Sequence, residues 1–350
     1  MLHIAFLNVG QGDTSVVCNP QTHEAIVVDC LNPAAVWDLL QCENVHRVRA
    51  IVITHLHADH YAGLVTFLEG CEPRGIDWDT VYFYWVHDTR QRKQLLDDSD
   101  GHSQAVENNP TLWQKKKMSM YQTLAAWVGK PGNRRRYRLP DRLDEVDAQG
   151  MLLELLHPVP GDIGRLTLSA RLNNLSIVLR VSNGEASALL TGDLEPDGWD
   201  VLMENMPDLS SDVLKFPHHG AWKRDDVDAL LDQVRPEIVV MSVGTVGDQY
   251  DHPNSRVFNA LKRRVGIKVL CTQATTKCTP EPDKVQDRVQ TLLASIENKF
   301  TGVATNKGCP CASTVIVELG DRAQIIHPPR DTHFHIIAQC FPLAQCRKSA

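Results

Sequence analysis

Three histidines and one aspartate fall within six residues in the stretch Thr54-His55-Leu56-His57-Ala58-Asp59-His60, spaced HxHxDH. Imidazole and carboxylate are ligands for divalent cations, and four of them in so short a segment form a metal-binding pattern rather than loop decoration. Alternate residues of an extended chain point the same way, so His55 and His57 can grip one ion from one side. Asp59 and His60 follow as the chain turns into a helix beginning near Gly63-Leu64-Val65. They can face a second ion, the arrangement that serves two-metal hydrolysis.

Other stretches carry chemistry of the same kind. Asp193 ends the run Thr191-Gly192-Asp193, where a carboxylate can reach in and bridge two ions, although Gly-Asp is also a common turn. In Lys215-Phe216-Pro217-His218-His219-Gly220, adjacent histidines held between Pro and Gly can direct one ring at a metal. The other ring is then left for substrate or for a supporting shell. Asp251-His252-Pro253-Asn254 adds a histidine on a turn, and Gly10-Gln11-Gly12-Asp13 adds an acid beside two glycines. For Gln11 and Asp13, turn chemistry and a place near the site are equally consistent readings.

The elements that must position these groups read as alternating strands and helices. Residues 2–9, 14–18 and 25–29 have the pattern of short strands in a meander, 34–41 of a helix, and 48–54 of the strand that delivers the metal motif. Strands are expected again over 80–86, 151–156, 175–181, 186–191, 211–216, 237–243, 267–271 and 313–319, with a helix over 255–264. That alternation predicts an α/β layered fold. The aromatics Tyr82, Phe83, Tyr84 and Trp85 read as sheet packing.

Between about 88 and 150 the composition shifts to charged and amide residues, with an amphipathic helical pattern over 111–128. This segment reads as an insertion. It carries Arg90, Arg92 and Lys93, then Lys115, Lys116 and Lys117, then Arg134, Arg135 and Arg136. Such runs are either solvated faces or contacts to a phosphate backbone.

The chain of 350 residues is 43% hydrophobic with a formal net charge of -7, which does not mark a general nucleic-acid binder. A polyanion would have to be held locally, by metals and basic patches. The N-terminus lacks the basic lead and apolar core of a signal peptide and no run is long enough to cross a bilayer, so the expectation is a cytoplasmic protein with no membrane association. The ten cysteines fit a reducing compartment as buried thiols or metal ligands; disulfide pairing in an exported protein is the alternative. Cys271, Cys278, Cys309 and Cys311 could together hold a closed structural zinc or remain buried thiols. The tail, 331–350, holds His333, His335, Cys340 and Cys346, with an added edge strand expected over 334–337.

Taken in order, VGQGDT, THLHADHYAGL, LLTGDLE, LKFPHHG, SVG and DHPNS resemble the metallo-β-lactamase superfamily. More narrowly, they are similar to the hydrolase domain of ComEC-type competence DNA-uptake proteins. The resemblance runs from about residue 2 to 272, the insertion excepted, and then over 313–319. It implies an αββα sandwich over residues 1–330, with the insertion and a Cys-containing C-terminal extension, and a metal groove along one edge of the two sheets. By motif match, His55 and His57 fall to one metal, Asp59 and His60 to the other, Asp193 bridges, and His218 or His219 completes a shell. The implied cofactors are two divalent ions, zinc first and manganese or magnesium as alternatives. One departure stands out. Many members bring a further histidine just before the strand leading to Gly-Asp, where this chain has Asn173-Asn174-Leu175-Ser176. Asn174 is therefore a near-site candidate, the first metal position is weakened, and His157 is either a distant substitute or a strand-end residue.

The implied chemistry is hydrolysis by a metal-bound hydroxide, oriented by Asp59 and Asp193. Lys215 and His252 would stabilise developing charge or protonate the leaving oxygen, or else are a strand-end lysine and a turn histidine. Three functions follow: a nuclease acting on DNA or RNA, a phosphodiesterase for a small phosphoester such as a cyclic nucleotide, and a binding or regulatory module without turnover. A domain usually found on a membrane protein, occurring here without its membrane segments, also suggests a protein partner; these features do not speak to oligomeric state.

Overall fold

The computed structural model describes residues 1–85, 112–146, 148–163, 166, 171–245, 252–341, 343, 344 and 346. Two sheets run through it. The first, in spatial order, is β14 (Ala323–His327), β13 (Val315–Leu319), β1 (Leu2–Phe6), β2 (Ser15–Asn19), β3 (Glu24–Val28), β4 (Arg47–Val52), β5 (Asp77–Tyr82) and β6 (Tyr137–Arg138). The second is β12 (Lys268–Cys271), β11 (Ile238–Met241), β10 (Val213–Lys215), β9 (Ser187–Leu190), β8 (Val178–Ser182) and β7 (Leu152–His157).

The strand sequences explain the layering. Along the stretch that contains β4, Val48, Ile51 and Ile53 enter one core while Ala50 and Val52 enter another. A strand buried on both faces reads as a continuous apolar run, with the side-chain period of two hidden inside it. The same alternation splits β1, where Ala5 faces the outer core and Leu2, Ile4 and Phe6 face the inner one. The inner core joins the two sheets, bringing Ile4, Ile26 and Val52 together with Leu179, Leu190 and Val240. Helices cover both outsides. Pro33–Cys42 and Leu64–Cys71 lie on the first sheet, and Pro196–Asn205, Val227–Val234 and Ser255–Lys262 lie on the second. The result is the αββα sandwich.

Register decides where chemistry can occur. β3 pairs with β4 and β4 with β5 in parallel, and so do β9 with β10, β10 with β11 and β11 with β12. Parallel strands end on the same side, and ligands of α/β sheets bind outside their carboxyl ends. Asp29 follows β3, the HxHxDH turn follows β4, Asp193 follows β9, His218 and His219 follow β10, and Ser242 follows β11.

The structure differs from the sequence reading in particular places. Residues 172–175 form a 3-10 turn, Leu172–Leu175, so the strand there begins only at Val178. The edge strand expected over 334–337 is instead part of a helix, Arg330–Cys340. The two adjacent isoleucines favour a strand locally, but His333, Ile336, Ile337 and Cys340 recur at helical spacing and are the residues buried against the second outer core. The insertion supplies the helix Leu112–Gly129, which buries Leu124 and Trp127 in the first outer core, Trp127 packing on Trp78 with ring centroids 5.8 Å apart. Arg90, Arg92 and Lys93 lie outside the described residues. Among the described residues no helix is long and apolar enough to cross a membrane.

Helix and strand make different forecasts for this segment. Ile336→Ala, at a fully buried site, should cost about 2–5 kcal/mol in urea unfolding, while Phe334→Ala, at a position 49% exposed, should stay within about 0.5 kcal/mol. Equal losses at the two positions, which a strand would place on one face, would contradict the helix.

Candidate metal centre

The turn after β4 is held from beneath by the turn between β1 and β2. Gly12 has a φ of +146° and lies so close to the metal motif that a Cβ there would stand 2.5 Å from the Asp59 carbonyl oxygen. Only glycine permits that approach, and it lets the Asp13 amide donate to the Asp59 carbonyl at 3.2 Å. Asp29 adopts a left-handed backbone, φ +60°, at the end of β3. Its carboxylate accepts the Thr54 amide at 2.8 Å and the Thr54 hydroxyl at 2.9 Å, and it bonds His60 Nδ1 at 2.8 Å.

That last bond orients the ring. With Nδ1–H donating to Asp29, the Nε2 lone pair of His60 points at Asp193 Oδ2, 3.3 Å away. His219 repeats the device from the other sheet. Its Nδ1 donates to the Ser242 carbonyl at 2.7 Å, and its Nε2 faces Asp193 Oδ2 at 3.3 Å and Asp59 Oδ2 at 3.6 Å. Outer acceptors that fix the tautomer of a histidine are the usual support of a metal ligand. One ligand atom from each of Asp13, His60, Asp193 and His219 lies within 4.8 Å of the others, and all four residues are buried.

A cation fits this donor set. Asp13 Oδ1, His60 Nε2, Asp193 Oδ1 and His219 Nε2 are buried without a hydrogen-bond partner, so lone pairs confront one another in a dry pocket. Such a group is costly unless positive charge sits among it. The ionisation equilibria tell the same story. Burial opposes charge on His60 and His219, but Asp193 chiefly, with Asp29 or Asp13, outweighs it; His60 is raised well above the usual range and His219 is pushed up to about 10. Asp193 is held well below the carboxylate range, because His219 and His60 overcome the effect of burial. Among the described residues this cluster could hold a metal ion.

The other sequence-predicted residues are distributed around it. Asp59 borders the cluster with a side chain 32% exposed, the opening to solvent. His55 Nε2 and His57 Nδ1 are hydrogen-bonded to each other at 3.0 Å, while His55 Nδ1 lies 3.2 Å from the Thr54 hydroxyl and 3.4 Å from that of Ser176. Burial pushes both rings down, His57 to about 4, so they stay neutral. Lys215 is 2% exposed and sits behind the cluster, ion-paired with Asp13 and donating to the Gly192 carbonyl at 2.8 Å. Of the two readings of Lys215, a role at the site or a strand-end surface lysine, its burial is at odds with the second. His218 and His219 both have left-handed backbones, φ +48° and +53°, which turn the two rings apart. His219 enters the cluster, and His218 stands at its rim, 3.9 Å from Asp193 and 3.7 Å from Glu195. His252 packs against both, with centroids 5.6 Å from His218 and 6.4 Å from His219.

Of the paired asparagines, the structure turns Asn173 toward the site and not Asn174. Asn173 Nδ2 lies 3.5 Å from His218 Nε2, whereas Asn174 Oδ1 accepts the Gly198 amide at 3.2 Å in the helix Pro196–Asn205. His157, the last residue of β7, donates from Nε2 to the Asn174 carbonyl at 2.9 Å and is a buried strand-end residue. Cys271, Cys278, Cys309 and Cys311 are buried thiols in the second outer core, in company with Cys340 and Cys346, and their pKa values are raised chiefly by burial. No three of them bring their sulfurs together as the Asp and His ligands are brought together. In the insertion Lys115, Lys116, Arg134, Arg135 and Arg136 are exposed, and Lys117 is buried.

Asp29, Thr54, Ser176 and Ser242 were not anticipated. Asp29 carried a signal, an acid closing an apolar strand; Ser242 acts through its backbone carbonyl, which any residue would supply.

The model of the Metallo-beta-lactamase superfamily matches residues 7–245. ComE operon protein 3 of Bacillus subtilis is 38% identical over 100 residues, which is 29% of this chain and 12% of that protein. Competence protein ComA of Neisseria gonorrhoeae is 39% identical over 101 residues, 29% of this chain and 14% of that one. This chain thus matches only about an eighth of the length of these relatives. Among solved structures, the metallo-beta-lactamase fold protein YhfI of Bacillus subtilis covers 77% of this chain and 95% of its own at 11% identity, with a TM-score of 0.42.

Two outcomes follow from the geometry. Asp29→Asn keeps the shape but loses the acceptor that orients His60, and should weaken zinc binding about 10- to 100-fold in competition with a chromophoric chelator; unchanged affinity would contradict the role given to Asp29. In metal-free protein, the raised pKa of His219 gives stability that is complete below its ordinary value of 6.5 and lost as pH rises toward about 10. Melting temperature of the metal-free form should therefore fall between about pH 7 and 10, and zinc should remove that fall, since metal and proton compete for the same nitrogen. A flat metal-free profile would contradict the protonated cluster.

Proposed function

The chain belongs to the metallo-beta-lactamase superfamily, and on that premise we propose that it is a metal-dependent phosphodiesterase whose preferred substrate is nucleic acid, DNA or RNA. The reading rests on one observation above the others: two imidazoles with fixed tautomers and the Asp193 carboxylate converge at the carboxyl ends of parallel strands from both sheets, and the turn between β1 and β2 adds the Asp13 carboxylate. In this reading Asp13, His60, Asp193 and His219, with Asp59 at the opening, would hold one divalent ion, and His55 and His57, with Asp193, would hold a second. Zinc suits the nitrogen-rich set. When bound, such ions polarise a phosphoryl oxygen and bring the pKa of water toward neutrality.

The protein's own groups then have separate tasks. Asp59, the partly exposed carboxylate, accepts a hydrogen bond from the attacking water and sets its direction. Lys215 holds Asp13 and the Gly192 carbonyl in place. Its pKa is raised, since Asp13 and Asp193 outweigh burial, so it keeps its proton and acts as a fixed positive charge behind the ligands. His252, on the rim beside His218, is the candidate to protonate the leaving oxygen, since burial lowers His218 and keeps that ring neutral. The likeness to competence proteins supports nucleic acid as substrate. A net charge of -7 favours the second reading, a small phosphodiester.

Cleavage of labelled single- and double-stranded DNA, RNA and bis-p-nitrophenyl phosphate by zinc- or manganese-loaded protein tests the proposal. Asp59→Ala should lower turnover by about 100-fold or more. A polymer substrate gripped by cations should be cut more slowly as salt rises from about 50 to 200 mM, and a small ester should respond little. If the loaded protein cleaves no phosphodiester, the proposal fails.

A further inference from the structure

The first sheet ends at β14 and the second at β12, so each has an open edge, and the two edges lie beside one another. A cavity of about 220 Å³ lies between them, closed by the first turn of the helix Arg330–Cys340. Val269, Leu270, Ile325, Pro328 and Phe334 make its body apolar. Sites for drug-sized ligands run to about 300–1,000 Å³, so this one suits a smaller molecule. No residue of the metal centre lines it. Lys268, on its wall, begins β12, whereas Asp193 and His219 follow the far ends of β9 and β10, which run parallel to it.

The charge on its wall lacks a counterion. Lys268 and Arg330 both line the cavity, and among the described residues neither forms an ion pair. Asp331 lines it too, so two cations stand against one carboxylate and a single positive charge is left over. The helix end adds to that charge. Its cap, Pro329, offers no side-chain acceptor, and the first helical bond runs from the His333 amide to the Pro329 carbonyl, which leaves the amides of 330–332 without an acceptor inside the helix. Such an end favours an anion. His333 points the same way independently. It is 6% exposed and lines the cavity; its Nε2 lies 3.6 Å from Cys311 Sγ, while its Nδ1 has no partner among the described residues. Burial raises the Cys311 thiol and lowers the His333 imidazole to about 4. The thiol therefore keeps a proton to donate to Nε2, and the neutral ring carries its own on Nδ1, a spare donor in the wall.

We propose that this cavity is a binding site for a small carboxylate with an apolar body, a short-chain or aromatic acid, separate from the metal centre and independent of the function assigned to it. One net positive charge suits a carboxylate better than a phosphate monoester, which carries about 1.5 to 2 negative charges. The Arg330 guanidinium matches both carboxylate oxygens, and Lys268 adds a point charge from β12. The apolar part then covers Phe334, a large side chain otherwise 49% exposed.

Calorimetric titration of the full chain with hexanoate, hexanol and acetate, each with and without zinc, tests the proposal alongside thermal melting. Hexanoate should bind about tenfold or more tightly than hexanol, which lacks the charge, and than acetate, which lacks the apolar body. Zinc should leave that binding unchanged. The double variant Lys268→Gln, Arg330→Gln should lose about tenfold or more of the hexanoate affinity, and both side chains reach solvent, so it should melt as wild type does. Should it melt lower, Arg330→Gln alone carries the comparison. Phe334→Ala should weaken hexanoate and leave acetate unchanged. Absence of hexanoate binding, equal binding by wild type and the charge variants, or binding that appears only with zinc would overturn the proposal, as would acetate or hexanol binding as tightly as hexanoate.

Discussion

Lone pairs facing lone pairs in a dry pocket are what the rest of this structure has to accommodate. Asp193 Oδ2 lies 3.3 Å from the inward nitrogens of both His60 and His219, and Asp13 and Asp59 close the circle. Without positive charge the arrangement is repulsive, and desolvation makes it worse. Protons supply that charge in the metal-free protein, and a divalent cation supplies it more compactly. Lys215 contributes a third share from behind, which explains an ammonium buried between the sheets.

The sandwich can bring these groups together because they come from four separate segments at strand ends of both sheets. No single segment supplies more than two members of the cluster, and the two sheets contribute from opposite sides. Precision then depends on backbone approaches that side chains would block. Gly12 lets one turn lie on the Asp59 carbonyl, and Gly192, at φ +52°, passes so close to Thr54 that a Cβ would stand 2.8 Å from its Cβ. Thr54 and Asp29 in turn set the angle of His60. Metal affinity and local packing are therefore the same property viewed at two distances.

Much of this was legible in the sequence, and the limits have physical causes. The HxHxDH motif is local, so its ligand character needs no tertiary knowledge, and the α/β layering was legible in the alternation of strands and helices, while the αββα arrangement came from the resemblance. The choice between His218 and His219 was not legible, since two successive left-handed residues set it. Nor was the choice between Asn173 and Asn174, made by a 3-10 turn that replaced the expected start of a strand. Residues 334–337 misled through the strand preference of adjacent isoleucines, where burial at helical spacing decided the outcome. Lys117 was hidden in a basic run, because only the phase of its helix distinguishes it from its neighbours.

The claim that the cluster is built around a cation is tested most directly by calorimetric titration of metal-free protein with zinc, for wild type and the isosteric Asp193→Asn. The account predicts at least one tightly bound ion per chain, release of protons on binding, and affinity lower by about 100-fold or more in the variant. Absence of binding, or equal binding by the two proteins, would contradict it.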